Sequence, residues 1–425
     1  MEINKLIEWN SWWENNQSID RLIGFNREKY SVLLNSINIK EVTIITGIRR
    51  SGKSTLIYQM IHNLLKNNVD PNQILLVNLE DKKLLDDSLE DIYSCYRQNI
   101  NLNKKAYIFL DEIHRKEDWA FWIRKKYDLK TNDKFIITSS CSYLLRKEYS
   151  TLLTGRNLMF EVFPLSFKEY LLFKKVDINK ENLKKSLITS KTKLAILKYF
   201  DEYLKLGGFP EVFFKIKEFK IKILEQYFDD ILYKDIIDRY DINTQKAKDL
   251  ALFLMTNFTK PFSLRSIRGS LKISYDTIKD YISYFKDAFL FFTLDQFSFS
   301  LKQQKILPSK IYVIDNGLRN SVSFKFSEDF GRLVENLVFI ELKRRKKDVY
   351  YWLDRGEVDF VIKNNNQTLI AINVTYSDSI NKREIKSLLE FKNKFGSCKL
   401  IILTKTLEKK EQEIQFIPVW KWLLE

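Results

Sequence analysis

The sequence predicts an α/β protein in four parts: a P-loop parallel-sheet domain, a helical lid, a winged-helix module and a C-terminal α/β domain. Three observations predict it. Short, almost wholly apolar runs alternate with amphipathic helices from Glu41 to about Phe167. A glycine-bounded loop, Gly47–Ser54, joins the first of those runs to the helix that follows it. The same α/β alternation returns after about Ser309, beyond a long helical stretch.

Size and composition set the frame. At roughly 150 residues per domain, 425 residues make about three domains. The apolar share of 45% and charged share of 30% are globular values and argue against disorder or a low-complexity array. Lys and Arg number 71 against 55 Asp and Glu, a net charge of +16. A field of that sign suggests a polyanionic partner, nucleic acid first and DNA ahead of RNA. The plainer alternative is lysine kept at the surface for solubility. Cys95, Cys141 and Cys398 are scattered, and His62 and His114 are the only histidines, so neither a zinc site nor a disulfide framework is expected. The N-terminal MEINKLIEWNSWWENN places charges and tryptophans where a signal peptide needs an apolar core. No apolar run approaches the roughly 20 residues of a membrane span. A cytoplasmic protein is the expectation.

Each part has its own signal. Residues 1–38 read as helical, with Leu6, Ile7, Trp9, Trp12 and Trp13 on one packing face. Val42–Thr46, Ile74–Leu79, Tyr107–Leu110 and Phe135–Thr138 are apolar almost throughout, which suits strands covered on both faces. Residues 168–260 are helical and lysine-rich, broken at Gly207-Gly208-Phe209-Pro210. Residues 261–308 suggest two helices and a β-ribbon. From 309 a helix at Arg332–Arg345 precedes strands at Val349–Trp352, Asp359–Ile362 and Leu369–Val374, then a helix at Asn381–Phe395 and a strand at Lys399–Leu403. The expected boundaries are therefore 1–167, 168–260, 261–308 and 309–425. There is no internal repeat, and 11 glycines with 6 prolines leave no flexible linker.

The loop carries the chemistry. Gly47-Ile48-Arg49-Arg50-Ser51-Gly52-Lys53-Ser54, followed by Thr55, fits G-x-x-x-x-G-K-[ST]. Such a loop curls so that successive backbone N–H groups face one phosphate, and the helix N-terminus adds its partial charge. Lys53 is expected to reach the β- and γ-phosphates of ATP, and the Ser54 hydroxyl to ligate Mg²⁺. Asp111-Glu112 ends the run Tyr107–Leu110, where ligands of such sheets bind. Asp111 is the second expected metal ligand and Glu112 the group that polarises an attacking water; the plainer alternative is an acidic pair at a helix start. Ser140, after the run at Phe135, is the candidate γ-phosphate sensor, unless these serines only cap a helix at Tyr143. Arg156, after the turn at Gly155, is either a transition-state arginine or one half of a salt bridge; acting in trans, it would require a homo-oligomer.

Taken together, GIRRSGKST, YIFLDEIHR with Trp119, ITSSCSYLL, LTGRNLMFEVFPLSFKEYL, GGFPEV, GRLVENLVFIEL and GEVDFVI resemble AAA+-like ATPases of archaea and bacteria whose C-terminal region looks like a PD-(D/E)XK nuclease fold. The resemblance spans nearly the whole chain and implies ATP binding and hydrolysis. It also implies a site of an acid on a helix, an Asp on one strand and E-x-K on the next. Glu335 and Asp359 match the first two, with Glu357 nearby. The third reads Asn373-Val374-Thr375, so a neutral amide replaces the acid and a hydroxyl the lysine. Metal-assisted cleavage needs anionic ligands and a group to orient water, so this site reads as degenerate. Lys363 and Lys382 are the lysines near enough in sequence to restore it.

Leu264–Leu271 and a helix from Ser274 to about Lys286 suggest a helix-turn-helix, with Ser274 as N-cap and Ile278, Tyr281, Ile282 and Phe285 facing inward. The second helix exposes Tyr275, Asp276, Lys279 and Asp280, and two carboxylates would repel DNA phosphates. A ribbon of Leu290–Leu294 with Gln296–Leu301, near Lys302, Lys305 and Lys310, is the better phosphate contact; a spacer domain is the plainer alternative. Lys215–Lys222 and Lys343–Lys347 are basic runs that usually mark solvated helix faces. Three functions fit: an Mg²⁺-dependent ATPase moving its C-terminal modules on nucleic acid, an ATP-gated switch recruiting a protein, and an ATP-gated nuclease. The charge favours the first over the second, and Asn373 with Thr375 opposes the third.

Overall fold

In a computed structural model, which describes residues 1–142, 153–176, 178, 189–323, 329–363 and 368–425, the first apolar runs form a parallel sheet. Its strands are β1 (Val42–Thr46), β2 (Ile74–Asn78), β3 (Tyr107–Asp111), β4 (Lys134–Ser139) and β5 (Asn157–Glu161), in the order β2-β3-β4-β1-β5. Their apolar residues divide between two faces. Val42, Ile44, Val77, Ile108, Leu110 and Ile137 pack under α2 (Leu89–Asn99) and α3 (Trp119–Asp128). Ile45, Ile74, Leu76, Phe109 and Ile136 pack under α1 (Lys53–Lys66). Burial on both sides is why these strands carry no polar alternation. β5 is a fifth strand that sequence reasoning missed. It sits at the sheet edge, is only partly buried, and so lacks the continuous apolar run.

The N-terminal segment is a series of short helical turns, Asn4–Ile7, Ser11–Trp13, Asn16–Leu22 and Tyr30–Ser36. Its aromatic face closes the free edge of β2. The Asn10 side chain donates to Leu76 O at 2.8 Å and accepts from Leu76 N at 2.7 Å. The Trp12 and Trp13 indoles donate to Ile74 O. Unpaired strand groups are thereby satisfied and the edge is protected.

A second compact unit holds residues 163–286 and 290–425. Its helices include α4 (Phe167–Phe173), α5 (Ser190–Leu206), α6 (Lys217–Asp230), α7 (Thr244–Thr256), α8 (Leu264–Leu271) and α9 (Tyr275–Asp287). At the Gly207-Gly208 break, Gly207 has φ +71, and a Cβ there would lie 1.9 Å from Asp315 Oδ1. Asp315 Oδ2 accepts from Gly208 N at 2.7 Å, and Oδ1 caps Leu318 N at 3.0 Å in α10 (Asn316–Val322).

The ribbon differs from expectation. β7 (Phe291–Leu294) pairs antiparallel with β8 (Ser309–Val313), which also pairs with β6 (Pro261–Phe262). Gln296–Leu301 is not the partner strand: Gln296 bridges Tyr351, and Leu301–Ile306 is helical. The physical reason is burial. Ile311, Tyr312 and Val313 are fully buried, whereas QFSFSL alternates serines into the run. The expected boundary at 308 thus falls between strands of one sheet.

The last sheet runs β13 (Lys409–Glu411), β14 (Ile414–Pro418), β12 (Cys398–Thr404), β11 (Leu369–Val374), β10 (Glu357–Lys363), β9 (Asp348–Leu353). α12 (Lys382–Phe395) covers one face, with Leu388 and Phe391 against Val358, Val361 and Ala371. On the other side, Phe339 of α11 (Phe330–Arg344) meets Phe360 and stacks on Tyr312 at 4.0 Å. The helix start expected at Tyr143, loop 364–367 and the Lys305 side chain lie outside the described residues. No described helix is long and apolar enough to cross a membrane.

Candidate functional site

The loop leaves β1 at Gly47, whose φ of +150 and position admit no side chain: a Cβ would lie 2.0 Å from Val162 O. Arg50 and Gly52 follow with φ of 67° and 98°, which curl the backbone before α1 begins at Lys53. Ile48 and Ser51 are fully buried. Arg27 donates to Ser51 O at 2.9 Å, and Arg49 pairs with Glu80 at 2.6 Å. Burial alone would raise the Glu80 carboxyl, but Arg49 and Arg115 outweigh it and hold it at about 2. The loop is therefore fixed from outside by ionised groups. The Lys53 ammonium, 4% exposed, donates to Gly47 O at 3.0 Å and Ile48 O at 3.4 Å.

β3 delivers Asp111 and Glu112 to this loop. Ser54 Oγ donates to Asp111 Oδ2 at 2.7 Å, and the Thr138 hydroxyl donates to Asp111 Oδ1. Glu112 turns into the left-handed region, φ 57° and ψ 50°, a conformation costly for a non-glycine residue and common at functional sites. Its backbone N–H donates to Thr138 Oγ1 at 2.9 Å. Its carboxylate accepts from Ser140 N at 2.8 Å, and lies 3.4 Å from Lys53 Nζ and 3.2 Å from His114 Nδ1. Burial and the neighbouring Glu112 charge push the Asp111 carboxyl up. Burial also opposes ionisation of Glu112, but Lys53 and His114 hold it well below the usual range.

Ser140 is fully buried and meets Glu112 through its backbone N–H. Sequence reasoning missed Thr138, which ties both acids to β4, and His114, which bridges Glu112 and Ser139 Oγ at 3.1 Å. His114 lies two residues past Glu112, in DEIHR, and that spacing was its signal. Arg156 does not join this group within its own chain. It precedes β5, whose first residue pairs with Val42 at the start of β1, and so lies at the opposite end of the parallel strands from the loop. There it forms an ion pair with Asp128 at 3.0 Å.

A second cluster lies in the C-terminal sheet. Lys310, 2% exposed, places its ammonium 2.7 Å from Glu357, 3.1 Å from Glu335 and 3.7 Å from Asp359. Tyr312 O–H also donates to Glu335, at 2.7 Å. A register shift between Val358 and Val361 lets Asp359 and Phe360 face α11 together while both valines face α12. Burial would lower the Lys310 ammonium, but the three carboxylates raise it well above the ordinary lysine value. Burial and Glu335 push the Asp359 carboxyl well up.

Two expectations for this cluster are corrected. Lys310 is not a phosphate contact on a ribbon, because three carboxylates already surround it. The lysine beside the acids is Lys310 and not Lys363, which ends β10 opposite Asp348 and Leu369, nor Lys382, which opens α12. Asn373 accepts from Asp359 N at 3.2 Å, yet its amide is turned to α12, donating to Glu384 Oε2 at 2.8 Å and Ser387 Oγ at 3.1 Å. Thr375 is held through its backbone N–H by Leu403 O at 2.8 Å.

On α9, Tyr275, Asp276, Lys279 and Asp280 are exposed as expected, and Ser274 Oγ accepts from Thr277 N at 3.2 Å. The basic runs are partly neutralised. Lys220 pairs with Glu202 at 3.3 Å, and Arg344 and Arg345 share Glu341 at 3.0 and 2.8 Å.

Residues 39–171 match a family model described as an AAA domain, and residues 197–329 and 330–422 match two domains of unknown function. The chain is 35% identical over 423 residues to an uncharacterised protein of Methanocaldococcus jannaschii, covering 93% of this chain and 92% of the relative. It is 32% identical over 414 residues to an uncharacterised protein of Haemophilus influenzae, covering 94% and 98%. Among solved structures it is similar to AMPPCP-bound DnaA from Aquifex aeolicus, with 14% identity, TM-score 0.27 and coverage of 61% of this chain and 86% of that one. It is also similar to C. elegans PCH-2, with 16% identity, TM-score 0.24 and coverage of 43% and 50%, so that it spans half of that chain.

Proposed function

Because the chain belongs to the family of AAA-domain proteins that includes these archaeal and bacterial relatives, we propose that it is an Mg²⁺-dependent ATPase whose turnover is coupled to a nucleic-acid-binding second unit. The observation that carries the first half is the convergence of Ser54, Asp111, Glu112 and Lys53 at the carboxyl ends of β1 and β3. The curled loop offers its N–H groups to the phosphates, and Lys53 can exchange two carbonyl acceptors for phosphate oxygens. Ser54 and Asp111 present two hard oxygens in contact, a donor set that suits Mg²⁺ and not zinc. Bound there, the ion would neutralise charge on the phosphates.

Glu112 is held ionised and aimed by Ser140 N–H, His114 and Lys53, which suits it to orient and polarise a water. Ser140, next to that carboxylate, is proposed to report the γ-phosphate. Arg156 is proposed to act only from a neighbouring subunit. The C-terminal cluster supports the reading of a nuclease-like fold without cleavage, since neither Asn373 nor Thr375 supplies an acid or a lysine to it. The order of α7, β6, α8, α9, β7 and β8 supports a winged-helix reading.

Two variants test the enzyme. Lys53→Ala should lose tight nucleotide binding by calorimetry. Glu112→Gln should keep binding and lose phosphate release; normal turnover in Glu112→Gln would end its catalytic assignment. A second reading, a switch that recruits a protein, draws support from Phe214, Ile216, Phe219 and Ile221, large apolar residues that are all exposed. An ATPase rate that responds to DNA or RNA favours the first reading.

A further inference from the structure

The spacing of Arg265, Arg268 and Lys272 is i, i+3, i+7, so α8 and the turn after it bring all three to one face. None of them belongs to a basic run in the sequence. With Gly269, Ile273, Ser274, Tyr275 and Asp276 they line an open depression of about 850 Å³. All three cations are exposed, and none makes an ion pair with a carboxylate among the described residues. The Arg268 guanidinium lies over the Tyr275 ring at 4.9 Å, which orients it without cancelling its charge. A Cβ on Gly269 would meet nothing within 4 Å, so the rim is open. Several cations elsewhere are engaged: Lys310 by three carboxylates, Lys220 by Glu202, Arg344 and Arg345 by Glu341.

We propose that this depression is the contact for the phosphodiester backbone of a polynucleotide. The inference rests on the nucleic-acid reading above and gives it a place: α8 and its turn, and neither the ribbon nor the exposed face of α9. Unpaired convergent cations are what phosphates of successive nucleotides require. Three cations face the one carboxylate, Asp276, that lines the depression, and Asp276 with Asp280 opposes insertion of α9 among base edges. The contact should therefore be tolerant of sequence. An anionic lipid surface would also draw cations, but it needs large apolar side chains projecting beside them. Here Ile273 is buried and Tyr275 is partly covered by Arg268.

The test uses the full chain and fluorescently labelled duplex and single-stranded DNA, with anisotropy read across a salt series. The variants are Arg265→Glu with Arg268→Glu, and separately Gly269→Glu, which adds a carboxylate to the depression in open space. Lys343→Glu, on the basic run at 343–347 and outside the depression, is the control. The expected result is at least a tenfold loss of affinity in both α8 variants, with unchanged unfolding temperature and basal ATPase rate. The log–log salt dependence should also become shallower by roughly 0.7–0.9 for each cation removed, while Lys343→Glu follows the wild type. If the wild type binds DNA and the α8 variants keep both affinity and slope, the nucleic-acid reading stands and this contact is wrong. If the wild type binds no DNA or RNA at low salt, both fall together. Loss in the variants of binding to phosphatidylglycerol vesicles, with no DNA binding to lose, would overturn the assignment in favour of a membrane.

Discussion

Replacing Lys310 by Met keeps the side chain as far as Cε and removes its charged ammonium. At 2.7 and 3.1 Å from Glu357 and Glu335, the ammonium gains about 5–6 kcal/mol of attraction from each at an effective dielectric of ~20, and less from Asp359 at 3.7 Å, whose carboxyl is pushed towards its neutral form. Desolvation of a 2% exposed lysine offsets much of that. Removing one member of a buried ionic group costs about 3–5 kcal/mol, because its partners are left unpaired. The Glu357 side chain is 43% exposed and solvent can screen it, so the lower end, about 3 kcal/mol, is expected. For a unit of this size that lowers the unfolding midpoint by roughly 6–12 °C. Scanning calorimetry of wild type, Lys310→Met and the double variant Lys310→Met with Glu335→Gln would measure it. The double variant should recover part of the loss, since it removes an uncompensated carboxylate. A single variant that melts within a degree of wild type would refute the reasoning.

Three further outcomes follow from the same structure. Gly47→Ala should abolish nucleotide binding and lower the midpoint of the first unit, since its Cβ would lie 2.0 Å from Val162 O; calorimetric titration with ATP checks the first effect. Asp315 is pushed up to about 6 by burial, against the pull of Gly208, Leu318 and Gly317 N–H donors. The folded state thus holds its proton more tightly than the unfolded chain, and stability falls as pH rises from 3.8 to about 6, then levels off. Relative to Asp315→Asn, wild type should lose about 3 kcal/mol across that window, measured as urea midpoints at several pH values; a flat difference would contradict the assignment. Plasmid and single-stranded DNA should survive incubation with pure protein in Mg²⁺ or Mn²⁺, with or without ATP. Cleavage that disappears in Asp359→Ala would reverse the reading of the C-terminal site.

The strands of the first sheet were legible because burial on both faces forces apolar runs, and β5 was not because an edge strand escapes that demand. The loop and Asp111-Glu112 were legible because phosphate chemistry restricts spacing and residue type. Their supports were harder to see. Thr138 and His114 act through contacts made by the fold, and a Thr or His at such positions is chemically ordinary. The C-terminal cluster was legible in its acids and not in its cation. Lys310 stands 25 residues before Glu335 and enters from β8, whose partner strands β6 and β7 lie on the other side of an expected boundary. Only the pairing of β8 with β6 and β7 brings it there.

The lysine–carboxylate groups at Lys53 and at Lys310 differ in what their ammonium ions would leave behind. Lys53 donates to two neutral carbonyls, with one carboxylate 3.4 Å away that Ser140 N–H and His114 also hold. Moved to a phosphate, it strands no charge, because Glu112 keeps those donors. Lys310 is the charge partner of Glu335, Glu357 and Asp359 at once. Were it to move to a phosphate, three carboxylates would face one another with Tyr312 O–H and Val374 N–H as their remaining donors. In the first arrangement the carboxylate keeps other donors when the lysine exchanges acceptors; in the second, three carboxylates lose their shared cation. An order of acids in the sequence that resembles a nuclease therefore does not by itself make a nuclease. In this chain the acids and Lys310 are one another's counter-charges, and the cluster fixes β8, α11 and β10 to one another.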